Sequence, residues 1–232
     1  REEGTVKDKG RIWYYADTGS PAQGINLRSA SGSLVSIVEA GTGALLGTVE
    51  EATAFFHVHP GAIYLHQGDS YLVEELDLER SVALVKEGDY DFYTNPMDNV
   101  DVSVLGEERS FAPVPGGCSL HFGEVEVETQ VYAFQKRRLI THEIMETLGL
   151  DLPTQTLSTR ALWYAIPPER LAALALDEYS LAGGLHALEH AAIAILPLFA
   201  MCDRWDIGGM STSFHGDTGR ATVFIYDAYP GG

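Results

Sequence analysis

Three residues near the C-terminal end are the best candidates for chemistry: His186, Glu189 and His190, in the run His186-Ala187-Leu188-Glu189-His190. The spacing H-x-x-E-H is that of inverted-motif zinc peptidases. On a helix, positions four apart share a face, so the two imidazoles can serve one zinc ion with Glu189 beside them as a base. A catalytic zinc also needs a third protein ligand, usually a downstream Glu. No Glu follows Glu189, and Asp203, Asp206, Asp217 and Asp227 would depart from the pattern. The expectation is therefore two packing histidines that satisfy hydrogen bonds beneath a sheet, with no metal site and no catalytic residue in the chain; the alternative is a zinc-dependent hydrolase using this helix. A second cluster, His57-Val58-His59 with His66, looks like the H-x-H of cupin metal sites, with His57 and His59 on one face of a strand. A cupin needs a Glu shortly afterwards, and this chain has Pro60-Gly61-Ala62-Ile63-Tyr64. Structural histidines are expected there.

Other chemistries lack their parts. No G-x-x-x-x-G-K-[ST] loop occurs to cradle a nucleotide, and the glycines at 43 and 47 are too closely spaced and lack the lysine. Asp177-Glu178-Tyr179-Ser180 begins like a D-E-x-H box but ends in Ser, within helical sequence. Cys118 has His121 three residues on and nothing evident to orient it as a nucleophile's base. Cys118 and Cys202 have none of the paired spacing of a zinc site or a disulfide framework, which fits a reduced, cytoplasmic environment. The formal net charge of -18 argues against a broad nucleic-acid face, because phosphate neutralisation needs clustered Lys and Arg. DNA contact is expected only locally, at Lys136, Arg137 and Arg138 and at Arg11, which leads into Trp13, Tyr14 and Tyr15, aromatics suited to stacking.

The elements that must carry these residues read as α+β, mostly antiparallel and β-rich in the first two-thirds, with a helical layer and a closing strand in the last third. Residues 33–38 and 44–49 flank Gly41-Thr42-Gly43 as a hairpin, and residues 62–66 and 70–76 repeat the form around Gln67-Gly68-Asp69. The strongest alternation runs over residues 124–132, with Val125, Val127, Thr129 and Val131 on one face and Glu124, Glu126, Glu128 and Gln130 on the other. Residues 106–117 lack periodicity and read as a loop. Pro167-Pro168 signals a helix start, Gly183-Gly184 a break, and Leu185, Leu188, Ala192, Ile195 and Phe199 a stripe that packs on the sheet. Residues 223–226 read as the closing strand. With 232 residues, 45% of them hydrophobic and 21% charged, the chain has the makings of one large globular domain or two small ones. The longest apolar run, Ala191 to Cys202, is 12 residues and contains Pro197, against roughly 20 for a bilayer span; no membrane partner is expected. The opening Arg1-Glu2-Glu3-Gly4, without Met, reads as a boundary inside a longer protein.

Four blocks occur in order. They are His59-Pro60-Gly61-Ala62-Ile63-Tyr64-Leu65-His66-Gln67-Gly68-Asp69-Ser70-Tyr71-Leu72-Val73, Leu185-His186-Ala187-Leu188-Glu189-His190-Ala191-Ala192, Asp206-Ile207-Gly208-Gly209, and Tyr226-Asp227-Ala228-Tyr229-Pro230-Gly231-Gly232. Together they resemble the C-terminal accessory region of MrfA/Hrq-type DEAD/DEAH-box superfamily 2 helicases, from about Ile25 to the end. The resemblance marks His59, Gln67, Tyr71, His186, Glu189, His190, Asp206 and Asp227 as signature residues. It implies a parent enzyme that uses ATP and Mg to translocate 3′ to 5′ on single-stranded or forked DNA in DNA repair. It also implies a four-cysteine zinc cluster after the Tyr-Pro-Gly-Gly block, so that this region itself holds no cofactor. Residues 1–22 would end a winged-helix region or linker, 23–150 would be the β-rich part of the accessory domain and 151–232 its helical and strand part. The partners implied are the enzyme's own motor lobes and DNA.

Overall fold

The structure is a computed structural model that describes residues 6–8, 13–15, 34–111 and 117–229. Two short strands, β1 (Val6–Asp8) and β2 (Trp13–Tyr15), pair antiparallel. Arg11 lies outside the described residues. The rest is α+β and strand-dominated, as expected.

A five-stranded sheet has the order β4-β3-β7-β6-β5, from β3 (Leu34–Glu39), β4 (Leu45–Glu50), β5 (Ile63–His66), β6 (Asp69–Asp77) and β7 (Val82–Glu87). All its pairs are antiparallel except β3 with β7. The β5–β6 hairpin turns on Gln67 and Gly68, both at positive φ (52° and 101°), which matches a two-residue turn of the type that follows strand twist. Helix α1 (Glu51–His57) follows β4 directly and buries Ala54 and Phe55 against Val35, Ile37, Val73 and Val85. The expected strand carrying His57 and His59 is therefore corrected: His57 ends a helix and is exposed, while His59 is fully buried in the turn after it.

The larger sheet is built on β9 (Ser119–Arg138), which pairs along one edge with β8 (Phe92–Phe111). Its other edge is shared, by β11 (Gln155–Ile166) over residues 119–129 and by β10 (Ile144–Gly149) over residues 133–137. The order continues β11-β13-β12, from β13 (Arg220–Asp227) and β12 (Ile207–His215). One sheet thus draws strands from both sides of residue 150. The expected loop at 106–117 is instead strand as far as Phe111; Gly106 and Glu107 sit at register shifts that accommodate bulges, which is why their periodicity is lost. On β13, Ala221, Val223 and Ile225 face one way and Thr222, Phe224 and Tyr226 the other, and all are buried. A strand covered on both faces reads as a continuous apolar run rather than as alternation.

One of those covers is helical. Helix α2 (Pro168–Ala172) starts at the expected proline, and α3 (Glu178–Ile195) follows. The Asp177 side chain caps α3 by accepting from the Ser180 amide at 2.7 Å, which holds its carboxyl below the usual range; that is the role of the residues that began like a D-E-x-H box. The break expected at Gly183-Gly184 does not occur. Both glycines lie on the exposed side with nothing nearby, and their cost of about 1 kcal/mol each is offset by the packing of Leu181 and Leu185. By length and composition alone residues Glu178–Leu198 would suffice to cross a membrane. In the fold, their inner side covers β12 and β13 through Leu185, Glu189 and Ile193.

Candidate functional site

The buried stripe of α3 corrects the stripe read from apolar periodicity. Leu181, Leu185, Glu189, Ile193 and Leu196 turn toward the sheet, whereas Leu188, Ile195 and Phe199 are exposed. A carboxylate thus stands where the sequence suggested a leucine. Its space is made by Gly209 on β12: a Cβ there would come within 2.7 Å of Glu189 Cγ and 2.9 Å of its Oε1. The neighbouring Gly208 makes the same allowance for the Tyr226 ring, at 2.4 Å. The Ser211 hydroxyl donates to Glu189 Oε2 at 2.6 Å. Burial pushes the Tyr226 hydroxyl up to about 12, with the Glu189 and Asp98 carboxylates adding to the effect.

His186 and His190 are exposed, which corrects the expectation that they pack beneath the sheet. Their Nε2 atoms lie 3.1 Å apart with the rings nearly perpendicular, and His186 Nδ1 lies 3.4 Å from Glu189 Oε2. One donor atom from each of His186, Glu189 and His190 falls within 4.8 Å of the others. The expected absence of a metal rested on a missing third ligand; in the fold, Glu189 of the same helix lies close enough to both rings to offer one.

The remaining histidines show what a structural histidine looks like here. His59 Nδ1 donates to the Pro60 carbonyl at 3.0 Å, its ring packs on Phe134 at 4.6 Å, and its Nε2 has no hydrogen-bond partner. Burial pulls its pKa below the ordinary value, with the Pro60 contact opposing and His57 reinforcing the shift. His215 likewise donates from Nε2 to the Val102 carbonyl at 2.7 Å. His121 differs: it donates from Nδ1 to Glu107 Oε2 at 2.7 Å and accepts at Nε2 from the Ser119 hydroxyl at 2.8 Å, stacked on Trp163. Its orienting carboxylate was not evident in sequence because bulged pairing brings Glu107 across from β8. Cys118 packs under α3 and takes no part.

The other signature residues serve the scaffold. Gln67 forms the β5–β6 turn, and Tyr71 is buried in the core of the five-stranded sheet, where burial first, then Glu87, Asp69 and Glu39, raises its hydroxyl pKa. The Asp206 side chain accepts from the Asp203 amide at 3.0 Å, and its backbone carbonyl accepts from the Ala228 amide at 2.8 Å. Asp227 accepts from the Thr159 hydroxyl and from the Tyr229 amide. The basic run is spread over both faces of β9. Lys136 pairs with Glu146 at 3.3 Å and lies over Phe92, Arg137 donates to Gln135, and Arg138 pairs with Asp91 at 3.3 Å. Just beyond, at the β9–β10 turn, Leu139 and Ile140 are exposed.

Comparison with known proteins gives this arrangement its setting. A family model described as the MrfA Zn-binding domain matches residues 188–232. The ATP-dependent helicase YprA of Bacillus subtilis is 33% identical over 237 residues, covering 100% of this chain and 31% of that protein. The ATP-dependent helicase HRQ1 of Saccharomyces cerevisiae is 25% identical over 181 residues, covering 77% of this chain and 17% of that protein. The crystal structure of the helicase MrfA bound to DNA superposes with a TM-score of 0.68 at 32% identity, covering 100% of this chain and 31% of that one; with DNA and AMPPNP the score is 0.62 at 29% identity, covering 100% and 29%. The chain therefore spans less than a third of the length of these relatives. The fold is a strand-rich α+β domain, and the proteins it resembles are helicases. Residues 188–232 match the MrfA Zn-binding domain, and the whole chain is similar in sequence and fold to part of the MrfA and HRQ1 helicases.

That family's description implies zinc. Cys118 and Cys202 do not form such a site, since neither joins a group of metal donors among the described residues. The donor set that is assembled, two imidazoles and a carboxylate, is chemically different from a thiolate cluster and suits the same borderline ion.

Proposed function

We propose that this chain is a non-catalytic accessory domain of an ATP-dependent 3′–5′ DNA helicase that serves DNA repair in the cytoplasm. The observation that carries the reading is the superposition of the whole chain on part of MrfA bound to DNA. The domain packs on the motor lobes and helps to guide DNA. The helical layer supports the packing role: Leu198, Phe199, Met201 and Trp205 all stand more than 80% exposed after α3, an apolar surface of the kind that marks contact with another body. The β9–β10 turn supports the guiding role, with Lys136 and Arg138 beside exposed Leu139 and Ile140, although their pairing with acidic neighbours keeps the contact weak and sensitive to salt. ATP and Mg belong to the motor lobes, as this sequence has no phosphate-binding loop. A zinc hydrolase fits less well, because Glu189, its general base, is turned inward onto Ser211.

The test is turnover. The purified chain should hydrolyse no ATP with or without single-stranded DNA, and a parent helicase lacking it should lose coupling of ATP use to unwinding. DNA-stimulated hydrolysis by the chain alone, or full unwinding by the truncated parent, would overturn the reading.

A further inference from the structure

We infer that His186, Glu189 and His190 form a binding site for one divalent metal ion of the zinc class, separate from any cysteine-held zinc. The inference does not rest on the helicase reading. In a tetrahedral zinc site with Zn–N of about 2.0–2.1 Å, two ligating nitrogens lie roughly 3.3 Å apart. The two Nε2 atoms already lie 3.1 Å apart, and the rings stand edge to face. The widest donor separation, within 4.8 Å, closes by rotation of imidazoles that are exposed and carry no packing load.

Charge points the same way. Glu189 has a side chain only 8% exposed, its hydroxyl partner Ser211 is neutral, and its ion-pair partner among the described residues is His186, which is charged only when protonated. A buried carboxylate is stabilised by a nearby positive charge, and a dication held between the two imidazoles supplies it without requiring either ring to be protonated. Ser211 then holds the ligating carboxylate in orientation, the outer-sphere role that keeps a metal ligand in place. Gly209 leaves the carboxylate its room, so α3 and β12 build the site jointly. Two nitrogens and one oxygen favour zinc, cobalt or nickel over magnesium and calcium, which take oxygen ligands. Three protein donors leave the fourth position to water, so the ion exchanges rather than being sealed in.

The experiment uses the 232-residue chain, stripped of metal and titrated with zinc against a chromophoric chelator, then with cobalt as a spectroscopic substitute. The expected result is one ion per chain, a tetrahedral cobalt absorption without a thiolate charge-transfer band, and no competition from millimolar magnesium or calcium. His190→Gln and His186→Gln, both at exposed positions, should each weaken binding at least tenfold. Ser211→Ala should weaken it by about tenfold, the usual effect of losing an outer-sphere partner. Stoichiometry below one-tenth, a thiolate band in the cobalt spectrum, or unchanged affinity in the double His variant would overturn the site. The wild-type cobalt spectrum decides the matter even if a variant misfolds, and none of these results bears on ATP turnover.

Discussion

Two histidine regions of this domain use the same side chain in opposite ways. Around His59 the ring is sealed, one nitrogen is spent on the adjacent Pro60 carbonyl, and burial favours the neutral form. Around His186 and His190 the rings stand in solvent and the buried member is the carboxylate between them. In the first region the histidine is part of the core; in the second the core supplies a charge and the histidines face outward over it. Burial, not residue type or motif, separates structure from chemistry here.

The change that should damage the fold most is Gly61→Ala. Gly61 has φ of +84°, and a Cβ there would meet the Phe134 ring at 2.7 Å. Left-handed backbone costs roughly 1–2 kcal/mol and overpacking about 1–3 kcal/mol, so urea unfolding should show a loss of about 3 kcal/mol. A loss below about 1 kcal/mol would mean that the pocket around His59 is loose and the contrast overstated. Gly209→Ala should cost less, about 1–3 kcal/mol, because it overpacks Glu189 and Ile193 without the left-handed backbone of Gly61, yet it should displace Glu189 and abolish zinc binding. Retention of both stability and zinc would break the link between β12 and α3.

Sequence reading captured the scaffold better than the site, and the reason is physical. Alternation over 124–132 and the Gln67-Gly68 turn are local patterns, and both lie where expected, the first inside β9 and the second between β5 and β6. The bulges at Gly106 and Glu107 destroy alternation without ending the strand, so the end of β8 reads as a loop. H-x-H imitates a strand, yet Val58 and His59 are buried in the turn after α1, both packed inward. Glu189 was the hardest to foresee. Carboxylates usually face water, and only Gly209 and Ser211, 20 and 22 residues later, make its burial possible.

The contrast also has a pH signature. A base whose folded pKa is depressed contributes stability above its unfolded value, about 6.5 for His, and that contribution is lost as pH falls below it, because the unfolded chain takes up a proton the native ring resists. Wild-type unfolding free energy should therefore fall between pH 7 and pH 5. His59→Gln should remove part of that slope, whereas His190→Gln in metal-free protein should leave the His59 share in place. An unchanged slope in His59→Gln would show that the ring is not held neutral. The smallest effect is expected from Lys136→Glu with Arg138→Glu, which touches neither histidine region. DNA affinity should weaken and its logarithmic salt dependence flatten by about 1 per lost phosphate contact, with stability shifted by less than about 1 kcal/mol, since exposed ion pairs contribute little. Unchanged affinity would remove the β9–β10 turn from the DNA path.

β9 deserves a mechanical reading. Its 20 residues extend for roughly 65 Å at about 3.3 Å per residue. Near one end Phe134 lies against His59 and Val131 joins the core of the five-stranded sheet, and further along Val125 and Val127 sit in a core of the larger sheet. Because β8, β10 and β11 all bond along its length, a pull parallel to the strand loads many hydrogen bonds at once, in shear, rather than opening them one by one. β9 is accordingly the spar of the domain, bonded to three strands and packed into the cores of both sheets.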